Sequence, residues 1–205
     1  YLPHRTEQLV FTHLTGNSAD ATHSLLVHAG FRRSHGIAYR PDCENCTKCI
    51  PVRIRVKDYT PSRNHKRIMQ RNAGLSCLLQ PTVATEEQFK LFQSYQAARH
   101  NDGKMASMTF DEYAAMVEDT PVRSMLLEYR DVNGSLFAVA LTDQLKDGLS
   151  MVYSFFQPRA ERRSPGIWII LEHIRRAQAQ LCSHVYLGYW IQGCNKMSYK
   201  DQFHP

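Results

Sequence analysis

The chain has 205 residues, 43% of them apolar and 21% charged, which suits one large soluble domain or two small ones. No apolar run approaches the roughly 20 residues that span a bilayer, and no secretory signal is visible, so the expectation is a cytoplasmic protein without a membrane partner. The net charge of +6 is uneven: residues 31–71 hold eleven Lys or Arg against three acidic residues, which suggests a polyanionic partner or, more plainly, a solvated basic surface.

Residues 1–80 read as a Cys- and Arg-rich N-terminal unit. The chain starts at Tyr1 rather than Met, so a further segment is expected before it. Residues 19–29 have a helical pattern closed by Gly30. Residues 51–56 alternate apolar and basic side chains, the pattern of a half-buried strand with one cationic face. Residues 62–72 read as a helix that sets Arg63, Arg67 and Arg71 four residues apart, beside Lys66. A short strand over 76–79 follows, and Pro81 marks the expected boundary.

Residues 81–205 alternate more regularly. Thr85 with Gln88, and Thr109 with Glu112, are capping boxes that open two helices. Three strands are predicted over 124–129, 135–142 and 148–156, with Asn133-Gly134 as a hairpin turn. Ser164 and Pro165 start a helix, and residues 185–188 form a last strand. Helices, an antiparallel meander, a helix and a strand give an α+β class. The order is that of a GNAT-like acyltransferase domain with a mixed, mostly antiparallel sheet.

Three motifs bear on chemistry. Cys43, Cys46 and Cys49 are three residues apart, a spacing that suits Zn²⁺ or an iron–sulfur cluster, or else a set of reduced thiols. Arg162 to Gly166 sits at a helix start, where backbone N–H groups attract phosphate. Trp168 stands where a CoA-binding motif needs a small residue, which argues against CoA. Finally, residues 186–200 interleave aromatics with Lys and Gly, a pattern suited to stacking on bases or to an aromatic core.

At these residues the chain resembles the bacterial aspartate/glutamate leucyltransferases, relatives of the arginyl-tRNA–protein transferases. The likeness rests on Gly30-Phe-Arg-Arg-Ser34, on residues 39–53 (YRPDCENCTKCIPVR), on Tyr95-Gln-Ala-Ala-Arg-His100, and on residues 186–200 (YLGYWIQGCNKMSYK). Family members carry one more Cys just before Tyr1, a candidate fourth metal ligand. The resemblance implies transfer of Leu from leucyl-tRNA to proteins beginning with Asp or Glu, which are then degraded, with no CoA and no cofactor needed for transfer. It places Tyr95, Gln96 and His100 at the acceptor or reaction site, with His100 as a proton acceptor, and has Tyr153 orient the ester. Arg40 and Arg163 are candidates for the acidic acceptor side chain or for phosphate. Lys196, Tyr199 and Lys200 would meet the tRNA 3′ end, and Arg63, Lys66, Arg67 and Arg71 the tRNA body. An arginyl donor, a CoA-dependent acetyltransferase and a non-enzymatic RNA-binding module are the alternatives.

Overall fold

A computed structural model describes residues 7–99, 103–194 and 197–205. Strands β1 (Leu9–His13), β2 (Arg32–Ser34) and β3 (Ile37–Pro41) make a small antiparallel sheet in the order β1-β3-β2, and helix α1 (Ala19–His28) joins β1 to β2. Then follow β4 (Cys49–Arg55), α2 (Arg63–Arg71), β5 (Ser76–Gln80), α3 (Glu86–Arg99) and α4 (Phe110–Glu118). The chain closes with β6 (Ser124–Arg130), β7 (Leu136–Gln144), β8 (Gly148–Phe156), α5 (Pro165–Ala179) and β9 (His184–Ile191). The large sheet runs β4-β9-β8-β7-β6-β5 and is antiparallel except between β8 and β9. This is the expected α+β, GNAT-like order. The expected boundary at residue 80 does not part the sheet, because β4 and β5, both before it, are its two outer strands.

Local chemistry sets the helix ends. The Ser62 hydroxyl accepts from the His65 N–H at the start of α2. The Thr109–Glu112 box makes both of its bonds at α4, and the Thr85–Gln88 pair does the same at α3. Ser164 precedes α5 as expected, but its backbone is left-handed and its side chain caps nothing. The predicted meander turn holds Gly134 at φ +79°, a conformation that glycine adopts without strain.

Alternation along the strands divides the helices between two faces. On β6, Glu128 accepts from Gln88 of α3, while its neighbour Tyr129 packs on Trp168 of α5, ring centroids 4.7 Å apart. On β7, Thr142 bonds His173 of α5, whereas Asp143 turns to the N-terminal unit. So α5 covers one face, and α3 shares the other with the N-terminal unit. The apolar side chains of α5, among them Ile169, Ile170 and Ile174, are buried, each worth roughly 1.5–3 kcal/mol.

The N-terminal unit is clasped by buried charge. Arg33 donates through Nε and Nη2 to the two oxygens of Asp143 at 2.8 and 2.7 Å, and His23 Nε2 lies 2.9 Å from the same carboxylate. Exposure is 4% at Arg33, 1% at His23 and 0% at Asp143. Burial alone would raise the Asp143 pKa, but the hydrogen bonds and charge of His23 and Arg33 hold it below the ordinary carboxylate value. Asp143→Asn leaves Arg33 buried without its counterion and is expected to cost ~3–5 kcal/mol in urea unfolding. A depressed carboxylate stabilises fully above its unfolded pKa of about 3.9 and loses that contribution as pH falls through the lower folded value. Wild type should therefore lose stability in that acid window more steeply than the variant; parallel acid limbs would contradict the clasp.

Candidate active site at the parting of two strands

The parallel ladder between β8 and β9 is short. It pairs Gly148 with His184, Leu149 with Val185 and Ser150 with Tyr186, and then stops. Both strands bulge at that point. On β8, Leu141 pairs with Tyr153 and Thr142 with Met151, so Val152 is the extra residue. On β9, Val52 pairs with Gly188 and Arg53 with Tyr186, so Leu187 is extra. A bulge bends and further twists its strand, and two facing bulges open a fork.

Two basic side chains line that fork. Arg32 Nη2 donates to the carbonyls of Met151 at 3.3 Å and Val152 at 2.9 Å. Lys200 Nζ donates to the carbonyls of Leu187, at 2.9 Å, and Tyr189. Burial and the charge of Arg32 bring the Lys200 pKa down to about 7. Gly188 has φ +73°, and a Cβ there would fall 2.5 Å from Arg32 Cζ, so glycine is what admits the guanidinium. The Tyr189 hydroxyl donates to the Gly30 carbonyl at 2.8 Å, which fixes β2 over the fork.

Cross-strand pairs share a face. Through Leu141–Tyr153 and Asp143–Ser150, Tyr153 and Ser150 lie on the face of α3 and the N-terminal unit. There Gln96, 1% exposed, donates from Nε2 to the Tyr153 hydroxyl at 2.7 Å. Among the described residues its buried Oε1 has no hydrogen-bond partner. Tyr95 is buried edge-on against Phe156, at 4.9 Å, and burial raises its pKa. Gln96 and Tyr153 thus meet beside the fork, with Tyr95 one residue away on α3. His100 and Lys196 lie outside the described residues.

Other expected site residues are scattered. Arg40 is exposed and stacks over Phe31 at 5.1 Å. Arg163 donates to Asn72 Oδ1 at 3.0 Å and sits over Phe137 at 4.7 Å, so the two arginines form no common anion site. Arg63, Lys66 and Arg67 are exposed on α2, and Arg71 reaches the Arg162 carbonyl. Tyr199 is 39% exposed. Lys200 is 4% exposed, and its side-chain nitrogen donates to backbone carbonyls inside the fork.

Among the described residues no three His, Cys, Asp or Glu side chains converge to hold a metal ion. Cys43 Sγ instead accepts from the Gln8 backbone N–H at 3.4 Å, and Cys49 already belongs to β4. Burial, then the neighbouring Cys43 and Cys46, raises the Cys49 pKa, which favours a thiol. None of the six cysteines is disulfide-bonded.

Comparison with known proteins fits this geometry. The N-terminal model of the arginine-tRNA-protein transferases matches residues 1–67, and the C-terminal model matches 87–205. The chain belongs to the arginine-tRNA-protein transferase family. It is an aminoacyltransferase. An aspartate/glutamate leucyltransferase of Parvibaculum lavamentivorans is 52% identical over 205 residues, covering 100% of this chain and 85% of that relative. A namesake from Nitrobacter hamburgensis is 49% identical, covering 100% and 83%. The L-PGS structure from Bacillus licheniformis superposes with a TM-score of 0.59 at 9% identity, over 96% of this chain and 65% of that one, a likeness of fold alone.

In this transferase the close approach of Arg32 to Gly188 can be tested directly. Gly188→Ala should destabilise by about 1–2 kcal/mol through its left-handed backbone, and by more through the collision with Arg32. In an Arg32→Ala background the collision is gone, so the same substitution should cost less by roughly 0.5–3 kcal/mol in denaturant unfolding. Strict additivity would contradict the contact.

Proposed function

We propose that this chain transfers leucine from leucyl-tRNA to the N-terminal amine of proteins beginning with Asp or Glu, and so marks them for degradation. The observation that carries the reading is the fork itself: an opening lined by Arg32 and Lys200 beside the Gln96–Tyr153 pair. The choice of donor and acceptors is drawn from relatives named aspartate/glutamate leucyltransferase that align over the whole chain. The setting proposed is the cytoplasm. Among the described residues no helix is long and apolar enough to cross a membrane.

The reaction is aminolysis of an activated ester. The acceptor amine has a reference pKa of about 7.7–8.0, so a useful fraction is neutral near pH 7. Its lone pair attacks the aminoacyl carbonyl and forms the new C–N bond. The C–O bond to the tRNA ribose then breaks, and the departing oxygen takes the proton that the amine loses. No covalent enzyme intermediate and no cofactor are needed; holding the two reactants together supplies most of the advantage. Gln96 Nε2, donating at 2.7 Å, fixes the Tyr153 phenol beside the fork, where it would help to orient the ester. The exposed cations of α2 would hold the tRNA body through phosphates.

The assay mixes purified protein with tRNA charged with labelled Leu, or in parallel Arg, and with peptides beginning with Asp, Glu, Lys or Ala. Leu on the Asp and Glu peptides alone is the expected result; Arg on them would change the donor, and no transfer would overturn the reading. Arg67→Gln should also weaken tRNA binding and make the slope of log K against log[salt] shallower by about 1. An unchanged slope would move the tRNA off α2.

A further inference from the structure

Gly30, Phe31, Arg32 and Arg53 have no part in the bond making described above, yet they converge on one cavity. It has a volume of about 250 Å³ and lies at the closed end of the fork. Its walls include His28, Phe31, Arg32, Arg53, Ser150 and Tyr186. Ser150 and Tyr186 are the last pair of the β8–β9 ladder, so the cavity opens on the face that carries Tyr153.

The cavity has an excess of positive charge. Among the described residues neither Arg32 nor Arg53 has a carboxylate within ion-pair distance. The nearby carboxylate, Asp147, is already engaged: its Oδ2 takes the Tyr186 hydroxyl at 2.9 Å and His184 Nδ1 at 2.7 Å, with His28 Nε2 at 3.2 Å. Arg53 is held in place, with its guanidinium 5.8 Å from the Tyr186 ring centroid and Nη1 3.4 Å from the Tyr186 hydroxyl. Nη1 also lies 3.3 Å from His28 Nδ1. No hydrogen bond from Arg53 Nε or Nη2, or from Arg32 Nε or Nη1, is made among the described residues. Pre-positioned guanidinium edges of this kind match a carboxylate. The volume is below the roughly 300–1,000 Å³ of small-molecule sites, which suits a single acidic side chain better than a nucleotide.

We propose that this cavity binds the side-chain carboxylate of the acceptor's first residue, between Arg32 and Arg53. This deepens the transferase reading and rests on it. Arg32 is level with Met151 and Val152, immediately before Tyr153 on the strand. A carboxylate on Arg32 would thus bind on the sheet face that carries Tyr153, the side on which the ester is proposed to lie. Arg53 is a specificity residue here and takes no part in bond making.

The test uses the full chain, leucyl-tRNA and two peptides that differ only in beginning with Asp or Asn. Arg53 is exposed, so Arg53→Gln and Arg53→Lys are chosen in preference to substitutions of Arg32, which holds the fork. Wild type should prefer Asp in kcat/KM. Arg53→Gln should raise KM for the Asp peptide roughly 10- to 100-fold, the worth of a charge-assisted hydrogen bond. The KM for leucyl-tRNA should stay within about twofold. The Asp-to-Asn preference should collapse in Arg53→Gln and be partly kept in Arg53→Lys. That ratio is internal to each variant, so a smaller folded fraction does not alter it. A wild-type-like Asp preference in Arg53→Gln overturns the cavity assignment while leaving the transferase reading intact. Absence of transfer by wild type overturns the reading, and the assignment with it.

Discussion

Everything that makes this fold a site follows from two strands that stop pairing. Beyond Ser150 and Tyr186, β8 and β9 have no ladder between them. A buried carbonyl without a donor costs ~1–3 kcal/mol, so a fork in a buried sheet needs donors from elsewhere. The chain supplies Arg32 to the carbonyls of Met151 and Val152, and Lys200 to those of Leu187 and Tyr189. Because Arg32 is a cation, the repair of the backbone also charges the opening. Structure and chemistry have one cause here.

That constraint explains why the N-terminal unit belongs to the site. Arg32 can serve β8 only if β2 is held over the fork. The neighbouring Arg33 does this through Asp143, and the Tyr189 hydroxyl does it through the Gly30 carbonyl. Successive residues on β2 point to opposite sides, so one arginine anchors the unit while the other enters the fork. Gly188 completes the arrangement, since any side chain there would occupy the place of the guanidinium.

How much of this could be read from the sequence depended on how local its cause was. The helices α3 and α4 were legible because their capping boxes lie within four residues, and the β6–β7 turn because Asn133-Gly134 encodes it. The strands β1, β2 and β3 were not legible. β1 is exposed along its whole length and has no alternation to detect, and β2 has only three residues. Gln96 and Tyr153 were found through a family resemblance, and the structure brings them into contact. Lys200 reads in the sequence as a contact to the tRNA 3′ end, and the β9 carbonyls that accept from it are brought near only by the folded chain. Arg32 and Arg53 were visible as members of a basic stretch and of the segments that carry the family resemblance, but not in their roles, because the partners that define them lie about 120 to 133 residues away.

The central claim is that donor ester and acceptor amine meet in the fork. The most direct measurement is a crystal structure of the chain with a non-hydrolysable leucyl-adenosine analogue, its ester replaced by an amide. The account predicts that the leucyl carbonyl will lie within hydrogen-bond distance of the Tyr153 hydroxyl, between β8 and β9 and beside Arg32. An analogue bound away from the fork, for example against α2 alone, with β8 and β9 unchanged, would contradict it.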